Sequence, residues 1–155
     1  MDGISEQENF LYHDDKFMLS IDMKWDRKNE NEVYGCVFVK DYSIHSLRAL
    51  NSSHIELLET IENKTFEILE QQFHLKRNEI VTFVHYVPSF WILHIHFCTI
   101  YSPLFKTMNC VIGRAIPLLD VIQNLKLKDD YYQTVPLRVR LYNKHPLLKL
   151  FKENK

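Results

Sequence analysis

Between Leu93 and Phe97 apolar side chains and imidazoles alternate strictly: Leu93, His94, Ile95, His96, Phe97. A period of two belongs to an extended strand. Leu93, Ile95 and Phe97 therefore turn into a core while His94 and His96 leave the opposite face together. A third histidine, His85, ends the apolar run just upstream, and a loop holding Pro88 and Ser89 folds the chain back so that His85 can approach the pair. A lone strand histidine is ordinarily a partly buried ring with a satisfied hydrogen bond. Two on one face with a third nearby are costly unless they bind or react with something, and this is where function is sought.

Two chemistries suit such a cluster. His-x-His on a strand can offer two imidazole ligands to a metal, but such a site needs further ligands. Cys98 is the only Cys, Asp or Glu close by in sequence, so no metal is assigned. Nucleophilic use of His94, with His96 and His85 orienting it or holding phosphate, fits better.

The remaining composition narrows the partners. A chain of 155 residues with 46% hydrophobic content can bury one respectable core and is expected to form one domain. The net charge of −1 creates no general field for nucleic acid, so DNA is not an expected partner, and a bound anion must be held by a few placed groups. Cys36, Cys98 and Cys110 are odd in number and lack zinc-like spacing, which suggests reduced thiols and a cytoplasmic or nuclear location. No apolar run reaches membrane-spanning length, so no membrane partner is expected.

Along the chain, residues 1–16 read as a polar tail or partial strand and residues 17–155 as the folded domain. Strands are predicted over 17–21, 33–39, 80–86 and 92–99, with the charged stretch 26–32 as a hairpin loop. Ser53 and Glu56 have capping-box spacing, which predicts a long helix to about Phe73. Its buried stripe would come mostly from Ile55, Leu58, Ile61, Ile68, Leu69 and Phe73. Pro117 opens a shorter helix through Leu127. Residues 134–141 read as a last strand, which Pro136 would confine to an edge, and 146–152 as a C-terminal helix. Hairpin-joined strands with a long helix inserted predict an α+β antiparallel sheet.

Several blocks share their order with a known family. They are Asp22-Met23-Lys24-Trp25, Ser46-Leu47-Arg48-Ala49-Leu50, His85-Tyr86-Val87-Pro88-Ser89-Phe90, Leu93-His94-Ile95-His96-Phe97, Arg114-Ala115, Val121-Ile122-Gln123-Asn124-Leu125 and His145-Pro146-Leu147-Leu148-Lys149-Leu150. Through them the chain resembles, from about Phe17 to Lys152, the C-terminal domain of the scavenger mRNA decapping enzymes of the histidine-triad superfamily. The resemblance implies a histidine-triad-like antiparallel sheet with one long helix and shorter C-terminal helices. It also implies hydrolysis of the triphosphate bridge of 7-methylguanosine cap dinucleotides or short capped RNA, giving methyl-GMP and a nucleoside diphosphate without a cofactor. His94 would attack phosphorus and form a phosphohistidine intermediate. His96 would donate to phosphate oxygens or help the leaving group, and His85 would lend a further hydrogen bond.

Asp22 and Lys24 match base-edge contacts, Arg114 matches a phosphate-binding arginine, and Tyr34, Ser89 and Phe90 match residues near the phosphates. A homodimer joined through sheet and long helix is a family inference. Two departures stand out. Ile92 occupies the position of the first triad histidine, and the tryptophan that stacks on the methylated base in the family has no counterpart here. A catalytically weakened or inactive cap- or nucleotide-binding module is therefore the alternative, with a triad hydrolase of broader nucleotide choice as a third reading.

Overall fold

The computed structural model describes residues 10–107, 110 and 113–153 of the chain. The His-x-His segment forms the central strand of an antiparallel sheet. Six strands, β1 (Phe10–His13), β2 (Phe17–Ile21), β3 (Tyr34–Val39), β4 (Ile80–His85), β5 (His94–Thr99) and β6 (Ala115–Pro117), stand in the order β1-β2-β3-β5-β4-β6. β5 lies between β3 and β4, with Cys36 opposite His96, Phe38 opposite His94, and Phe83 on the other side of His96. Because the side-chain period is two, this register puts Cys36, Phe38, Phe83, His94 and His96 on one face.

The other face is the core. Val37, Ile95 and Phe97 are fully buried with Leu58 and Ile61 of α1 (Ile55–Phe73) and with Leu118 and Val121 of α2 (Leu118–Leu127). Gly35 permits this packing. A Cβ there would lie 2.2 Å from Phe97 Cζ and 2.4 Å from the Ser20 carbonyl oxygen. Burial of the α1 stripe agrees with its spacing at Leu58, Ile61, Ile68 and Leu69, whereas Ile55 and Phe73 are only half-buried.

Two expectations are corrected. The capping box that opens the long helix is formed by Asn51 and His54, not by Ser53 and Glu56. The Asn51 side chain accepts from the Ser53 amide at 3.0 Å and the Asn51 amide donates to His54 Nδ1 at 3.0 Å, so a 3₁₀ turn at Ser52–His54 leads into α1. Phe10–His13, within the segment read as a polar tail or partial strand, pairs with β2 as an edge strand.

The strand predicted at 134–141 does not form. Tyr131–Thr134 is a short helix, α3, and the chain beyond it pairs with no strand among the described residues. Pro136 has no amide to give a ladder, and Arg48 takes the carbonyls on offer: its Nη1 donates to the carbonyls of Tyr132 and Val135, both at 2.7 Å. The last helix, α4 (Pro146–Glu153), lies where the sequence places it.

Candidate active site

β4 and β5 bring the three histidines together. The ring centroids of His85 and His96 are 4.2 Å apart, and those of His94 and His96 are 5.0 Å apart and perpendicular. All three rings are buried, His94 to 3% exposure. Phe90, from the loop after β4, stacks on His94 at 4.1 Å, and Phe83 stacks on His96 at 5.3 Å.

The protonation of each ring follows from its partners. His94 Nδ1 lies 2.8 Å from the carbonyl oxygen of Ile92. A carbonyl only accepts, so Nδ1 carries a proton and Nε2 of the neutral ring carries the lone pair. Burial lowers the pKa of His94 despite the opposing pull of that carbonyl, which favours the neutral form.

His96 Nδ1 faces the Tyr34 hydroxyl at 2.9 Å and Cys36 Sγ at 3.1 Å. Burial pushes the Tyr34 phenol far up and the Cys36 thiol up to about 12, so both stay protonated and can donate. In the tautomer where Nδ1 accepts from them, the ring proton sits on Nε2, which is buried without a partner. An orphaned buried donor is expensive unless a ligand satisfies it. Burial, followed by the neighbouring His85, His94, Lys24 and Arg114, pushes the His96 pKa down to about 2.

Asp22 and Lys24 lie in a turn after β2. The Asp22 carboxylate accepts from the Lys24 amide at 2.9 Å, and the two side chains pair at 4.0 Å. The turn is tied to the histidines through Tyr34, whose carbonyl accepts from the Asp22 amide at 3.0 Å and over whose ring the Lys24 ammonium sits at 5.4 Å.

Arg114 precedes β6, and its carbonyl accepts from the Tyr86 amide next to His85 at 2.9 Å. Its Nε is buried without a partner. Ser89 and Arg114 line one cleft beside the triad. All the predicted site residues therefore gather around β5, with Asp22 and Lys24 on the Tyr34 side and Ser89 and Arg114 on the β4 side. Cys36, Phe38 and Phe83 were not singled out from sequence, although their period-two spacing is readable; what was lacking is the register that sets them against the histidines. Among the described residues, no group of three or more His, Cys, Asp or Glu side chains is placed to hold a metal ion.

The family described as "Scavenger mRNA decapping enzyme C-term binding" matches residues 1–110. The chain belongs to that family. Among its relatives, the m7GpppX diphosphatase of Caenorhabditis elegans is 32% identical over 155 residues, covering 96% of this chain and 48% of the relative. The m7GpppX diphosphatase of Homo sapiens is 32% identical over 139 residues, covering 90% of this chain and 40% of its own length. That of Schizosaccharomyces pombe is 33% identical over 133 residues, covering 86% and 43%. The chain thus spans less than half the length of each.

A solved structure of Hnt3 in complex with DNA and guanosine superposes with TM-score 0.55 at 20% identity, covering 94% of this chain and 85% of that one. The aprataxin ortholog Hnt3 in complex with DNA gives 0.54 at 17% identity, covering 94% and 84%. At this identity the likeness shows the fold, which is histidine-triad-like α+β with an antiparallel sheet and one long helix, as the sequence resemblance implies.

Proposed function

We propose that the chain is a hydrolase of 7-methylguanosine cap dinucleotides or short capped oligonucleotides. Nε2 of His94 attacks the phosphorus on the methylguanosine side. The bond from that phosphorus to the bridging oxygen breaks and a nucleoside diphosphate leaves. Water then attacks that phosphorus, the phosphorus–nitrogen bond breaks, and methyl-GMP leaves with the imidazole restored. The Nε2–H of His96 and the guanidinium of Arg114 receive the charge that builds on phosphate oxygens, a role for donors already in place before reaction. His85 adds a hydrogen bond, Tyr34 holds the His96 tautomer, Ser89 and Phe90 border the phosphates, and Asp22 and Lys24 read the base edge. The observation that carries this reading is the 2.8 Å bond from His94 Nδ1 to the Ile92 carbonyl, which leaves the nucleophilic nitrogen unprotonated.

A second reading, a binding module with little or no turnover, is favoured by Ile92 in place of the first imidazole and by the low exposure of His94 beneath Phe90. Incubating the chain and His94→Asn with cap dinucleotide and with unmethylated dinucleoside polyphosphates separates the readings. Methyl-GMP released only by the unmodified chain supports the hydrolase, and tight binding without turnover by either form selects the module. Equal cleavage of unmethylated substrates selects the broader hydrolase. On the hydrolase reading the chain also pairs with a second copy and works in the cytoplasm or nucleus, which light scattering and cell fractionation test.

A further inference from the structure

Beside the histidines lies a cleft of about 460 Å3, with Ser89 and Arg114 on its inner side and Trp91, Arg140, Tyr142 and His145 among its other walls. Its lining includes two guanidinium groups and an imidazole but no carboxylate among the described residues, which is a setting for an anion. Arg140 is placed there by the backbone. Its amide donates to the Gly113 carbonyl at 3.2 Å, and its side chain runs across the glycine, with Cγ and Nε 3.2 and 3.3 Å from where a Cβ would stand. Gly113 has φ +87°, a conformation that glycine adopts without penalty. Arg140 is thereby set next to Arg114, whose Nε is buried and unpartnered.

Two further walls fit a nucleotide. Trp91 is 53% exposed, an uncommon position for so large an aromatic ring and a platform on which a base can stack. His145 Nδ1 accepts from the Leu147 amide at 3.2 Å, so the neutral ring keeps its proton on Nε2 as a donor.

We propose that this cleft is a second nucleotide subsite, continuous with the phosphate site, that holds the nucleoside diphosphate half of the substrate. The base stacks on Trp91, and Arg114, Arg140 and His145 take the phosphates. The assignment rests on the hydrolase reading for its place in the reaction, because it receives the leaving group opposite the methylated base.

The test is calorimetric titration of the full chain, Arg140→Ala and Trp91→Ala with ADP, with inorganic pyrophosphate and methyl-GMP as comparisons. ADP should bind the unmodified chain more tightly than pyrophosphate does. Each substitution should weaken ADP about tenfold, the size of change expected when a stacked base or a charged phosphate contact is lost. Methyl-GMP affinity should hold. In turnover assays the KM for cap dinucleotide should rise more than kcat falls. ADP binding equal in all three proteins, no ADP binding, or pyrophosphate binding as tight as ADP overturns the subsite. Trp91 lies on an exposed loop, so its variant reports even if Arg140→Ala fails to fold. A chain that does not cleave cap dinucleotide sinks the hydrolase reading, while the ADP titration still decides the cleft.

Discussion

The His94 ring donates from Nδ1 to the main-chain carbonyl of Ile92, 2.8 Å away. Residue 92 thus orients the His94 ring through its backbone, and its side chain takes no part in selecting the tautomer.

Ile92→His should therefore restore a polar support to an aligned ring. Turnover of cap dinucleotide is expected to rise roughly tenfold to a thousandfold, the range associated with one preorganised donor. The ¹⁵N shifts of His94 should stay those of an Nδ1–H tautomer in Ile92→His and Ile92→Ala alike. Unchanged turnover would mean that the lost imidazole is not what limits the site.

Acid should weaken the fold through the same cluster. His96 titrates at about 2 in the folded chain, against an ordinary value of about 6.5 when unfolded. Above the ordinary value neither state holds the proton. Below it the unfolded chain binds a proton that the folded chain refuses, so stability falls as pH drops from about 6.5 toward 2. The slope is at most about 1.4 kcal/mol per pH unit for this ring, and His94, shifted the same way, adds to it. Urea unfolding across that window should show the decline, and His96→Gln should flatten it. A profile of equal slope in both proteins would refute the assignment.

Arg48→Met keeps much of the side-chain volume but leaves the carbonyls of Tyr132 and Val135 without their donor. The expected cost is about 3 kcal/mol for two bonds to a charged group. For a chain of this size that corresponds to a fall in Tm of about 6–12 °C, measurable by calorimetry. A change within error would show that water replaces the guanidinium freely.

Gly35→Ala places a methyl group into the Phe97 ring and the Ser20 carbonyl oxygen. Destabilisation of about 3 kcal/mol or more is expected from overpacking, read from the urea midpoint. Phe97→Leu should rescue only part of the loss, because the Ser20 clash is with main chain. Full rescue would show that the ring is the only obstacle.

Much of this was legible in the sequence because it depends on short-range periodicity. The alternation through Phe97 gave β5 and its two faces, and the spacing of Leu58, Ile61, Ile68 and Leu69 gave the buried side of α1. The gathering of His85, His94 and His96 followed from two strands and one short loop. Asp22, Lys24, Ser89 and Arg114, named by resemblance, lie in turns and loops outside the strands.

What stayed hidden depends on partners distant along the chain. The register that sets Cys36 and Phe38 against His96 and His94 is a property of two strands together. The segment at 134–141 has the alternation of a strand, but Arg48, more than eighty residues upstream, captures the carbonyls at its start. Asn51 supplanted Ser53 as the cap because a 3₁₀ turn inserted itself before the helix, a choice that local spacing leaves open. That Trp91 and Arg140 share one cleft emerges only once loop and C-terminal segment face each other.

The clasp made by Arg48 has a thermal corollary. Downstream of it the chain runs on to Arg140 and His145 without joining any ladder among the described residues, so that bank of the cleft is moored by Arg48 and by the Arg140 amide on the Gly113 carbonyl rather than by the sheet. The sheet, by contrast, is held by hydrogen bonds from end to end. On warming, these moorings should slip before the sheet melts, and the cleft wall should loosen while the histidine cluster still stands.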